Sequence, residues 1–320
     1  MSGMHAAVLS APRTVELAPA PLPQPAPGQL RIRLDGSGVC GSNLPPWEGR
    51  DWFTYPFAPG APGHEGWGRV DAVGDGVRGF APGDRVAMLS ERAYAEYDVA
   101  STDSVVRLPA ALDGLPFPAE PLGCAMNVFR RSGIRAGQDL VIVGIGFLGA
   151  LLTQLAAHAG ARVIAVSRRP FALDVARACG ATETVPMDDH WRVIERVKAL
   201  TGGEMSGRVI EVVGAQWPLD LAGELTRVRG RLVIAGYHQD GPRQVDMQLW
   251  NWRGLDVVNA HERDPAVYLE GMRAAVDAVA AGALRPAALY THVLPLASLG
   301  DAFQLMHDRP DGFLKALVTT

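Results

Sequence analysis

Residues 139–149 read Asp-Leu-Val-Ile-Val-Gly-Ile-Gly-Phe-Leu-Gly, an apolar run ending in Gly144-x-Gly146-x-x-Gly149. A helical pattern follows over 147–159, and a second apolar run occupies 162–166. In that strand–turn–helix context the first glycine permits a tight turn and the second lets backbone approach a pyrophosphate. The third lets helix pack closely on strand, and the helix N-terminus offers unpaired N–H groups to the phosphates. The pattern predicts dinucleotide binding by Gly144, Gly146, Phe147, Leu148 and Gly149. Taken alone, the motif is weak, and the bland reading of the same glycines is a turn that merely packs a βαβ unit.

The surrounding chain divides in two. The first hundred residues are rich in Pro and Gly, with short β segments expected at 30–34, 68–73 and 84–89. Beyond Pro121, apolar runs at 140–143, 162–166, 208–213, 231–235 and 255–258 alternate with helical patterns such as 172–179 and 191–201. Runs of this kind suit a parallel sheet buried on both faces. After it come a helix at 265–281, an apolar stretch at 292–296, a short helix at 299–306 and a strand at 313–318. The expectation is an α/β chain: a doubly wound cofactor domain at 122–259, inserted into a β-rich domain formed by 1–121 and 260–320.

Composition narrows the class. A net charge of -4 over 320 residues offers no electrostatic footprint for nucleic acid or an anionic membrane. No run approaches 18 uninterrupted apolar residues, and residues 1–12 lack a basic head with an apolar core. Three widely spaced cysteines, Cys40, Cys124 and Cys179, argue against a disulfide framework and for a reducing cytoplasm.

The chemistry-bearing residues precede the glycine turn. Cys40 lies in Gly38-Val-Cys-Gly-Ser-Asn43, His64 and Glu65 in Pro62-Gly-His-Glu-Gly66, and Glu120 in Ala119-Glu-Pro-Leu122. Thiolate, imidazole and carboxylate are the donor types of a catalytic zinc. Gaps of 24 and 56 residues do not by themselves specify a site. Buried packing for the cysteine and a turn position for the His-Glu pair remain open on spacing alone.

These motifs, with Val73-Gly-Asp-Gly-Val-Arg-Gly-Phe-Ala-Pro-Gly-Asp-Arg-Val86 and the terminal Gly312-Phe-Leu-Lys-Ala-Leu-Val318, resemble the zinc-dependent medium-chain dehydrogenase/reductases. The likeness runs nearly end to end. Glu120-Pro-Leu followed by Phe129-Arg-Arg-Ser-Gly133 is most similar to the sorbitol and polyol dehydrogenase branch. The resemblance implies a GroES-like catalytic domain joined to a Rossmann domain, in a homodimer or homotetramer. It further implies that Cys40 and His64 ligate a catalytic zinc, with either Glu65 or Glu120 as the third ligand. Ser42 would relay the substrate proton, and Lys315 would stand near the pyrophosphate. Two departures stand out. Pro45 occupies a position that often holds a relay histidine, and residues 90–97 contain no cysteine where many relatives bind a structural zinc. One zinc per chain, and no structural zinc, is therefore expected.

The run 162–166 ends in Ser167-Arg168-Arg169-Pro170, without the carboxylate that would accept the ribose hydroxyls of NAD. Guanidiniums there suit a 2′-phosphate, so NADP(H) is expected, with Ser167, Arg168 and Arg169 as contacts. Trp47, Trp52 and Asn127 are candidates to line the substrate site, and His261 is a weaker candidate for a stand-in proton acceptor. The expected activity is interconversion of a secondary alcohol, such as a polyol, cyclitol or sugar, with its ketone. A zinc-free NADPH-dependent quinone or enone reductase, or a non-catalytic nucleotide binder, are the rival readings.

Overall fold

The computed structural model describes residues 3–320. Two compact units divide the chain. One comprises the chain up to Gly123 with Asp264–Ala280 and Pro286–Thr320; the other comprises Cys124–Arg263 with Ala281–Arg285.

The first unit is built on a seven-stranded sheet. Its strands run in the order His292–Pro295, Ala316–Thr319, Gln29–Gly38, Glu65–Val73, Arg85–Met88 and Val105–Arg107, with Tyr97–Ser101 also paired to Gln29–Gly38. Gln29–Gly38 shows the period-two pattern of a half-buried strand, with Leu30, Ile32 and Leu34 inward and Arg31 and Arg33 outward. Val70, Val86 and Met88 meet those three leucine and isoleucine side chains in one core. A second core gathers Trp47, Tyr94 and Phe303, the last carried by the helix Leu299–Asp308. Each such side chain contributes roughly 1.5–3 kcal/mol on full burial.

The second unit holds six parallel strands. In space they run Glu183–Pro186, Arg162–Ser167, Asp139–Val143, Ser206–Glu211, Thr226–Ile234 and Asp256–Asn259. In chain order that is 3-2-1-4-5-6, which reverses direction between Asp139–Val143 and Ser206–Glu211. Ligands of such sheets bind outside the carboxyl ends of the strands at this switch point. Val141, Val143, Ile164, Val166, Val209 and Leu232 are fully buried, as strands covered on both faces require.

Two elements carry weak sequence signals. Glu183–Pro186 is an edge strand of four residues, too short and too polar to show a period. Gln216–Leu225 is a helix despite Pro218, because a proline in the first turn removes no internal hydrogen bond. Among the described residues, no helix is long and apolar enough to cross a membrane.

Candidate active site

The first unit brings the predicted ligands together through strand register. Gln29–Gly38 and Glu65–Val73 pair antiparallel with Gly38 opposite Glu65. The residues just beyond that end of the ladder, Cys40 and His64, therefore meet although 24 positions separate them. Ligand atoms of Cys40, His64 and Glu65 all lie within 4.8 Å of one another. A side chain at position 38 would exclude this arrangement, since a Cβ there would fall 1.8 Å from Glu65 Oε2.

The imidazole is oriented by backbone. His64 Nδ1 lies 3.0 Å from the carbonyl oxygen of Pro62. A carbonyl only accepts, so Nδ1 carries a proton, and in the neutral ring Nε2 holds the lone pair available to a cation. Burial lowers the pKa of His64, but the charge and hydrogen bond of Cys40, then Glu120 and Glu65, outweigh it and raise the value to about 10. Glu120, in the first turn of the helix Ala119–Ser132, is thus within electrostatic reach of the ring but outside the tight group of three. Ser42 sits half-buried in the turn Gly41–Asn43, and Pro45 is buried in the first turn of the short helix Leu44–Glu48.

Glu65 is fully buried, and its counter-charge is Lys315. Lys315 Nζ donates to Glu65 Oε1 at 2.7 Å and to Val39 O at 2.9 Å, and lies 2.5 Å from Oε2. The Oε2 contact is a charge contact without hydrogen-bond angles, so Oε2 accepts no hydrogen bond in the protein. Lys315, expected near the pyrophosphate, is here paired with Glu65. Its ammonium is 4% exposed with its residue and is committed to a carboxylate of its own unit. The reason is again register: Leu317 pairs with Gly38 on the other side of the same strand. Burial and the charge of Glu65 raise the hydroxyl pKa values of Tyr94 and Tyr290, which stand around this pair.

Soft thiolate, oriented imidazole and a buried carboxylate are a donor set that fits a divalent zinc-type ion.

Trp47 departs from its expected place in the substrate site. It is 2% exposed, 6.1 Å between ring centroids from Phe303, and covered by the guanidinium of Arg13. Its apolar area serves the core rather than a substrate. Trp52, in contrast, is 62% exposed and begins an aromatic chain through Phe53 and Phe57 to Tyr55. Sequence reasoning overlooked Asn43 and Tyr94, both buried beside the ligands; Asn43 was visible only as the last letter of a turn motif.

In the second unit, Gly144 turns with φ +104°, and a Cβ there would meet Val213 at 2.4 Å. The turns after the first and fourth strands therefore touch at the switch point. At Gly149 a Cβ would strike Gly144 O at 2.2 Å, whereas at Gly146 it would meet nothing within 4 Å. Gly146 thus faces open space at the N-terminus of the helix Phe147–His158, where a pyrophosphate fits. Phe147 and Leu148 are half-buried in its first turn. Ser167 is buried and its hydroxyl accepts from Arg169 N at 3.4 Å. Arg169 reaches Ile145 O, inside the glycine turn, at 3.5 Å, and Arg168 is exposed. Asn127 is 3% exposed and accepts from Arg130 Nη2 at 3.4 Å. His261 stacks on Tyr237 at 5.8 Å, and burial followed by Arg263 lowers its pKa.

Known proteins show the same two parts. The family model of the alcohol dehydrogenase GroES-like domain matches residues 26–110, and that of the zinc-binding dehydrogenases matches 148–281. An alcohol dehydrogenase of Rhizobium meliloti is 30% identical over 68% of this chain and 72% of its own. The chain belongs to the zinc-type medium-chain dehydrogenase/reductases. Within that family it is similar to the 2-dehydro-3-deoxy-L-galactonate 5-dehydrogenase of Pseudoalteromonas atlantica, 27% identical over 92% of each chain. Its fold matches a Sinorhizobium meliloti protein solved bound to NADP, with a TM-score of 0.86, 26% identity and 100% of both chains covered. Like these medium-chain dehydrogenases it is an oxidoreductase of the alcohol and polyol kind.

Proposed function

We propose that the protein is a zinc-dependent, NADP(H)-linked dehydrogenase that interconverts a secondary alcohol of polyol, cyclitol or sugar type with its ketone. The observation that carries this reading is the convergence of Cys40, His64 and Glu65 within 4.8 Å, with the histidine already turned to present Nε2. Those three residues hold the zinc, with Glu120 the alternative carboxylate, within electrostatic reach of His64. When bound, zinc supplies a Lewis acid that makes an alcohol oxygen more acidic near neutral pH. Ser42, two residues beyond Cys40, passes the released proton outward. Pro45 cannot accept it, so the next station is not at that position.

The unit of Cys124–Arg263 and Ala281–Arg285 holds the dinucleotide, which carries the hydride. Gly146 and the first turn after it receive the pyrophosphate. Arg168 and Arg169 receive a 2′-phosphate, and the absence of a carboxylate at Ser167 removes the group that would repel it. The solved neighbour with NADP bound, and the acidic-sugar substrate in the name of the Pseudoalteromonas relative, support the cofactor and substrate class. Trp52 offers an exposed aromatic face suited to a sugar-like ring.

The test is a screen of polyols, cyclitols, sugars and aromatic alcohols with zinc-loaded full-length protein and either dinucleotide. Reduction of NADP with a higher kcat/KM than NAD, abolished in Cys40→Ser, is expected. Full turnover by zinc-free Cys40→Ser overturns the metal assignment, and a strong NAD preference overturns the cofactor assignment.

A further inference from the structure

We infer that Asn43 is a positioning residue for the metal site, tying the cysteine-bearing turn to the histidine-bearing loop, with Tyr94 as its anchor. The inference rests on the zinc reading above. Asn43 is 2% exposed, and its amide is used at both ends. Oδ1 accepts from Cys40 N at 3.2 Å and from Tyr94 OH at 2.7 Å. Nδ2 donates to Pro62 O at 3.0 Å, and that same oxygen takes the Nδ1 proton of His64. One side chain therefore reaches the backbone of one proposed ligand and the acceptor that fixes the tautomer of another.

The direction of the amide is determined by its partners. Cys40 N–H can only donate and Pro62 O can only accept, so the oxygen faces the thiolate turn and the nitrogen faces the histidine loop. A carboxylate at position 43 has no hydrogen for Pro62, and alanine supplies neither contact. Tyr94 OH lies also 3.3 Å from Gly38 O, at the end of the strand that delivers Cys40. Tyr94 is fully buried against Phe303, so its hydroxyl is a fixed post. Strand register brings the two segments side by side, and the tie holds the turn of Cys40 and the loop of His64 to each other beyond the end of that ladder. Groups that orient ligands in this way typically govern metal affinity by about 10–100-fold.

The experiment uses full-length wild type, Asn43→Ala and Tyr94→Phe, each stripped of metal. Each is titrated with zinc against a competing chromophoric chelator, and separately loaded with Co(II) to record its ligand-field bands. Circular dichroism of the metal-free proteins reports folding. The expected result is a zinc Kd raised about 10–100-fold in Asn43→Ala. Loss of the single hydroxyl in Tyr94→Phe raises it about 2–10-fold. The Co(II) bands shift in both variants. Unchanged Kd and bands in folded Asn43→Ala overturn the inference, because a residue that only fills space would leave them alone. Should Asn43→Ala fail to fold, unchanged Kd and bands in Tyr94→Phe overturn it equally. A wild-type protein that takes up no zinc overturns the metal reading itself, and the inference with it.

Discussion

Lys315 Nζ lies 2.7 Å from Oε1 and 2.5 Å from Oε2 of Glu65, and both residues are buried. A buried pair gains little net stability over an apolar substitute, but losing one partner strands a charge. Lys315→Met should therefore destabilise the protein by about 3–5 kcal/mol. Lys315→Met combined with Glu65→Leu should recover most of that loss. Denaturant unfolding of the two single variants and the double variant provides the check. Equal losses in single and double variants would contradict a coupled pair.

The metal site should compete with protons. Cys40, Glu120 and Glu65 overcome desolvation to raise His64 to about 10 in the metal-free protein. A raised folded pKa contributes stability that is complete below the ordinary value of 6.5 and is lost as pH climbs through about 10. Zinc requires the neutral ring, so each ion displaces that proton. Zinc affinity should accordingly rise at least about tenfold per pH unit across the neutral range. Chelator competition at several pH values reads this slope, and a flat profile would refute it.

The second and third glycines of the turn should fail differently. Gly146→Ala places its Cβ in open space, so the fold should survive while NADP(H) affinity falls. Gly149→Ala drives a Cβ to 2.2 Å from Gly144 O, so thermal stability should fall first. Melting curves with and without cofactor separate the outcomes. Normal cofactor affinity in Gly146→Ala would remove the pyrophosphate from this turn.

Arginine removal should be selective for one dinucleotide. Arg169→Ala or Arg168→Ala should lower kcat/KM for NADP by about 10–100-fold, as loss of a charge-assisted hydrogen bond does. NAD kinetics should stay nearly constant. Parallel losses with both cofactors would mean that the arginines support the turn rather than a phosphate; Arg169, already 3.5 Å from Ile145 O, is the more exposed to that outcome.

Burial pushes the carboxyl pKa of Asp98 up, against the opposing pull of Ser90 and nearby backbone amides. The sign follows: its charged form costs stability above the raised value, and the cost disappears as pH falls toward 3.8. Asp98→Asn should be more stable than wild type at neutral pH, with the difference shrinking in acid. Melting temperatures at two pH values decide it.

Much of the fold was legible in sequence, because its signals are local. The Gly144 turn, the apolar runs of the parallel sheet and the alternation of Leu30, Ile32 and Leu34 each follow from a few adjacent residues and a backbone period. Glu183–Pro186 escaped because four residues at a sheet edge carry too little pattern. Donor chemistry at Cys40, His64 and Glu65, and the paired arginines after Ser167, were likewise visible as residue types. That Cys40 and His64 share a site followed only from the family resemblance, and the pairing of Glu65 with Lys315 was not visible at all. The opposition of Gly38 to Glu65 and of Gly38 to Leu317 joins one strand end to positions 40, 64 and 315, and only long-range pairing creates it. The same pairing buried Lys315 against Glu65, while packing on Phe303 turned Trp47 into core. Sequence alone thus determined the local backbone and the available chemistry. Tertiary structure decided the partners, because register and burial depend on residues far apart along the chain.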